Sequence, residues 1–143
     1  MSEKVENGQA ENNKAEKETP KSDWVTKRSQ CSFPNVFKEL RLQVEEDVKT
    51  RNALRPNNAP YEFSVADGDG DFTVLLKAGD FRKSVIFSLS EHAIVVKDEA
   101  GAMFEVTLTF SDEGECKLHV HQKELELWQV RRKALEELLF RSI

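Results

Sequence analysis

Apolar positions change their spacing twice along this chain. From Ser32 to Pro56, Val36, Phe37, Leu40, Val44 and Val48 recur at the 3.6-residue period of one helix face. Ser32 or Asn35 is a suitable cap, and Pro34 suits a first turn. Pro56, with Asn57, Asn58 and Pro60 behind it, ends the element. The pattern predicts a helix over about Pro34 to Ala53, with Leu42 pointing off its stripe.

The period then falls to two. Tyr61, Phe63 and Val65 alternate with polar neighbours, as do Phe72, Val74 and Leu76, then Val85, Phe87 and Leu89, then Ile94 and Val96. Phe104, Val106, Leu108 and Phe110 form the clearest run, and Cys116, Leu118 and Val120 form the sixth. Asp, Gly and Ser clusters separate the runs at about ten-residue spacing, the mark of an antiparallel meander. One face of such a sheet is apolar and the other polar.

Helical spacing returns in Leu127, Trp128, Val130, Ala134, Leu135, Leu138 and Leu139, a wide stripe expected to face the core. This helix begins by about Trp128 and runs to about Arg141. The preceding ELELW alternates, so a short seventh strand before the helix is left open. The fold class is therefore α+β: a six- or seven-stranded antiparallel meander, as a curved sheet or open barrel, flanked by an N-terminal and a C-terminal helix. Neither helix can bury its stripe alone, so both should pack on the apolar face. The order is similar to that of several unrelated architectures, among them helix-grip folds, cystatin-like folds and pleckstrin-homology barrels. Element order by itself carries no function.

Composition divides the chain. Residues 1–30 hold six basic and six acidic side chains, and Val5, Trp24 and Val25 are their only large apolar residues besides Met1. A segment that buries so little apolar surface is expected to be a disordered polar tail. Residues 31–143 hold all nine Phe and form a single α+β domain, with 15 basic against 20 acidic residues. The net charge of −5 thus sits on the domain, which disfavours nucleic acid and anionic membranes as partners. Cys31 and Cys116 are too few for a disulfide framework. Cys116 occupies an apolar strand position and is expected to be a buried free thiol in a reducing compartment. The first residues carry no apolar signal region, and no apolar run approaches a membrane span of about 18 residues. A cytoplasmic location is the expectation.

Candidate chemistry is sparse. Asp67, Asp69 and Asp71 match the first three ligand positions of a calcium loop, but Phe72 stands where the loop needs Gly and Ala78 where it needs Glu. Asp-Gly pairs between alternating runs point instead to a hairpin turn between Tyr61–Ala66 and Phe72–Lys77. His119 and His121 are two apart on a strand and so share one face, and aligning Phe110 with Cys116 and Leu108 with Leu118 brings Thr107 opposite His119 and Glu105 opposite His121. Two imidazoles and a carboxylate form a candidate metal set, or an ordinary cross-strand charge pair. His92 sits in a turn. Arg131 falls within the apolar stripe of the last helix, where it either snorkels and pairs internally, with Asp47 the nearest candidate, or waits for an anionic ligand. Leu42 and Phe140 lie off their stripes and are candidate partner-surface residues.

No nucleophile constellation and no phosphate-cradling loop is present. Cys116 and His119 point to opposite faces of one strand, against a Cys–His pair. The acidic DGDGD loop argues against a phosphoinositide-binding barrel. No cofactor is implied. The sequence therefore points to a non-catalytic binding or interaction module that engages a protein partner or small ligand through a sheet–helix groove. The alternative is a metal-binding protein or enzyme with its site on the polar sheet face.

Overall fold

A computed structural model describes residues 23–143. Residues 1–22 of the expected tail lie outside the described residues. Its last part is regular: Trp24–Gln30 form a helix, α1, that buries no residue. The long helix α2 follows over Phe33–Ala53. Ser32 caps it by accepting a hydrogen bond from the Asn35 N–H at 3.3 Å, with Pro34 in the first turn.

Seven strands come next: β1 Glu62–Asp67, β2 Asp71–Ala78, β3 Phe81–Leu89, β4 Ile94–Asp98, β5 Gly101–Phe110, β6 Cys116–Val120 and β7 Lys123–Leu125. Each pairs antiparallel with the next, giving one open sheet in sequence order. The helix α3, Leu127–Phe140, closes the fold. The architecture is the expected α+β meander flanked by helices, and β7 settles the open question of a seventh strand.

Strand alternation sends one set of side chains to a common face. Phe72 pairs with Phe87 across β2 and β3, Val74 with Val85, Phe87 with Val96, and Ile94 with Val106. All of these are buried. Leu40, Val44 and Val48 of α2 and Val130, Ala134, Leu135, Leu138 and Leu139 of α3 join them in a single core cluster. The Phe72 and Phe87 rings stack at 4.7 Å, and Phe37 of α2 tilts onto Phe72 at 5.2 Å. Both helices thus lie on the apolar face, and their buried side chains and those of the sheet form one core.

The sheet is not evenly paired along β5. Its first half, Gly101–Val106, pairs with β4, and its second half, Thr107–Phe110, pairs with β6. A register shift at Val96/Lys97 accompanies this handover, as expected where a sheet bends. The outer edge of β1 is met by a side chain: Asn52 donates to the Phe63 carbonyl at 2.8 Å and accepts from the Phe63 N–H at 3.0 Å. An amide side chain can stand in for a neighbouring strand in this way, blunting an edge that would otherwise template another chain.

The cysteines depart from expectation. Cys31 and Cys116 form a disulfide, so neither is a free thiol. The alternation that placed Cys116 on the apolar face is correct, but Cys31, at the α1–α2 junction, lies against that same end of the sheet. Its Sγ also approaches the Thr109 carbonyl at 3.6 Å. Pairing removes the ground for a reducing compartment. The bond spans a sequence separation of 85 residues, and loops of this size are stabilised by about 2–5 kcal/mol on cross-linking. Replacing both cysteines by serine, or adding a dithiol reductant, should lower unfolding free energy by about that amount in urea titrations. An unchanged midpoint would show that the bond contributes nothing to the fold.

Candidate interaction surface

The approach of α2 and α3 is fixed by two arginines reaching in opposite directions. α3 starts directly after β7, where the Gln129 side chain accepts from the Glu126 N–H at 2.8 Å. One turn on, Arg131 extends across to α2. Its Nε donates to Asp47 Oδ2 at 2.7 Å, Nη2 to Asp47 Oδ1 at 3.4 Å, and Nη1 to Gln43 Oε1. This is the internal pairing with Asp47 weighed from the sequence. In return, Arg51 of α2 donates from Nε to the Leu139 carbonyl at 2.8 Å. Carbonyls in a last helical turn lack intrahelical partners, so this bond satisfies one of them. The Arg51 guanidinium lies 5.0 Å from the Phe140 ring centroid and 5.3 Å from that of Phe63, within cation–π range.

Outside this clamp, α2 and α3 enclose an open groove of about 420 Å³. Asp47, Thr50, Arg51 and Leu54 line one side, and Trp128, Arg131, Arg132, Leu135, Glu136, Leu139 and Phe140 line the other. Both sets follow i, i+3, i+4, i+7 spacing, so each is one continuous helix face. Four of the five charges of the lining are paired, Arg131 with Asp47 and Arg132 with Glu136 at 2.7 Å, and the fifth, Arg51, is held by the Leu139 carbonyl. The Arg132 hydrogen bond, then its charge, holds the Glu136 carboxyl below the usual carboxylate range. The rim is apolar, with Leu54 67%, Trp128 50% and Phe140 60% exposed.

Trp128 was expected on the buried stripe. The stripe is narrower than the count of apolar residues suggested, and Trp128 lies on the outward side. Phe140 is exposed as expected. Leu42 is also exposed but does not line this groove.

The polar sheet face is organised differently. The β5–β6 register is the expected one, with Phe110 opposite Cys116 and Thr107 opposite His119. His119 Nε2 bonds Thr109 Oγ1 at 2.9 Å. His121, however, is not on a strand. It and Gln122 form the β6–β7 turn with φ of 52° and 66°, the left-handed pair of a tight hairpin. Glu105 pairs with Val95. The assumed extension of β6 past Val120 therefore fails, and Glu105, His119 and His121 are not brought together. Among the described residues no group of three or more His, Cys, Asp or Glu side chains is placed to hold a metal ion. Nearby, hydrogen bonds from Lys117 to Glu115 and Glu124 push its ammonium up to about 12.

The DGDGD segment is a hairpin. The Gly68 N–H bonds the Asp71 carbonyl at 2.9 Å, and Gly70 takes the left-handed turn position at φ 78°. Asp67 is held by Arg41 at 2.9 Å.

No family model, curated protein or solved structure matches this chain.

Two outcomes follow from this geometry. A double-mutant cycle on Arg131→Ala and Asp47→Ala should give a coupling of about 1–3 kcal/mol in urea unfolding, and additivity would remove the clamp. Gln122→Gly should raise stability by about 0.5–1 kcal/mol, because glycine adopts positive φ without a Cβ clash. A loss of stability would mean that Gln122 is not held in that conformation.

Proposed function

We propose that the domain is a non-catalytic interaction module that engages a protein partner through the outer face of α2 and α3. The observation that carries this reading is the apolar rim of Leu54, Trp128 and Phe140 around a groove whose charged side chains already have partners within the chain, two ion pairs and the Arg51 bond to the Leu139 carbonyl. Aromatic side chains around an open, internally satisfied groove favour contact with apolar anchors, and tryptophan is prominent among residues that dominate binding energy. Two parallel-running helix faces suit a helical ligand with anchors at i, i+3/i+4 and i+7. A polar small molecule would find few free groups to orient it. The expectation of a sheet–helix groove gives way here to the helix–helix face, because the exposed Leu54, Trp128 and Phe140 stand there, although a groove of about 520 Å³ also lies between the α1–α2 junction and β3 and β5. No specific observation favours the alternative of a metal site or enzyme on the polar sheet face.

Selection of binders from a displayed library of helical peptides tests the reading. Enriched peptides should carry apolar residues at helical spacing, and Trp128→Asp should weaken them at least ten-fold while His119→Ala leaves them unchanged. Binding that survives Trp128→Asp but is lost with His119→Ala would move the site to the sheet face.

A further inference from the structure

The exposed ridge of α3 has an internal symmetry. Trp128, Arg132, Glu136 and Phe140 follow one another at i, i+4, i+8 and i+12, so they form one ridge about 18 Å long at ~1.5 Å per residue. The ends of this ridge are aromatic and the middle is a cation followed by an anion. Its centre falls at the level of Ala134. A two-fold rotation about an axis through that level, perpendicular to the helix, exchanges position 128 with 140 and position 132 with 136. Two antiparallel copies of the ridge therefore set Trp128 against Phe140 of the other copy at both ends. In the middle they set Arg132 against the other copy's Glu136, twice.

We propose that the partner of this face is a second copy of the same chain, paired through antiparallel α3 helices in a two-fold dimer. The inference rests on the reading of the α2–α3 face as an interaction surface and names its occupant. Charge complementarity carries it: a two-fold interface must be self-complementary, so each residue's counterpart contact occurs twice. Parallel alignment of the same ridge would instead place Arg132 beside Arg132 and Glu136 beside Glu136. Ridges along i±4n are also those that interlock in the commonest class of helix packing, with axes crossing near −50° and 8–10 Å apart. Within one chain Arg132 and Glu136 already pair at 2.7 Å. In the dimer these four charges alternate in sign, with Arg141 of each chain, 3.5 Å from Glu136, at the margin. The exposed Leu54 widens the apolar margin beside it.

Sedimentation equilibrium of the full chain over a wide concentration range tests the proposal. The expected result is a mass rising from 16.4 kDa to twice that value. Trp128→Asp and Phe140→Asp should each raise the dimer dissociation constant at least ten-fold. Arg132→Glu and Glu136→Arg should each weaken the dimer similarly, because each creates like-charge contacts twice. Combined, they should restore it, because the reversed pair is again complementary. Circular dichroism keeps folding separate from association, and the charge variants, being at the surface, remain informative if an aspartate variant unfolds. A mass of 16.4 kDa at every concentration would overturn the proposal, as would a dimer indifferent to all four single variants or not restored by the double one. If the chain stays monomeric while selected peptides bind in a Trp128-dependent way, self-pairing is overturned and the face belongs to a different protein.

Discussion

Seven strands joined in sequence order leave a continuous apolar face that must be taken out of water. At roughly 25 cal/mol per Å² of buried apolar surface, covering such a face is the dominant favourable term available to the domain. The chain supplies two helices for the purpose, one from each end of the sheet. The stacked Phe72 and Phe87 pair, capped by Phe37, marks where the cover from α2 is tightest. Because α2 precedes β1 and α3 follows β7, the whole meander separates the two helices in sequence. Their joint, the Arg131–Asp47 and Arg51–Leu139 exchange, therefore ties the two ends of the domain together.

That arrangement also explains where a surface is left over. Helices that cover a sheet use one stripe each. The stripe of α3 is satisfied by Val130, Ala134, Leu135, Leu138 and Leu139, so Trp128 and Phe140 have no room inside. They flank a groove in which Arg131 and Arg132 are matched by Asp47 and Glu136 and Arg51 is held by a carbonyl. Desolvating a matched pair on association costs less than burying an unpaired charge. The proposed contact with apolar anchors rests on this arrangement, whereas the sheet's other face keeps Glu105, Thr107 and His119 in ordinary cross-strand surroundings.

Much of this was legible from residue spacing. Period-3.6 and period-2 runs located both long helices and six strands, and the Phe110–Cys116 alignment gave the β5–β6 register. Arg131 was recognisable because a guanidinium inside an apolar stripe needs a partner, and Asp47 stood on the facing helix. What spacing could not convey is how far a run extends or what distant segments meet. Val120 ends β6, and the left-handed turn at His121 and Gln122 breaks the face that His119 and His121 were expected to share. No local signal marks that turn, since neither residue is Gly, Asn or Asp. The Cys31–Cys116 bond joins residues 85 apart, and only the path of α1 into α2 brings them together. Trp128 was misplaced because hydrophobicity alone assigns a large apolar residue inward, although a helix face of limited width cannot bury all of them.

On the proposed reading the outer face of α2 and α3, and not the polar sheet face, is where this domain makes contact. Hydroxyl-radical footprinting by mass spectrometry reads it at residue level, comparing dilute with concentrated protein and with protein bound to a selected peptide. Trp128 and Phe140 should lose modification on engagement while Leu42 and His119 keep theirs. Unchanged modification at Trp128 and Phe140, with protection appearing at His119 instead, would contradict it.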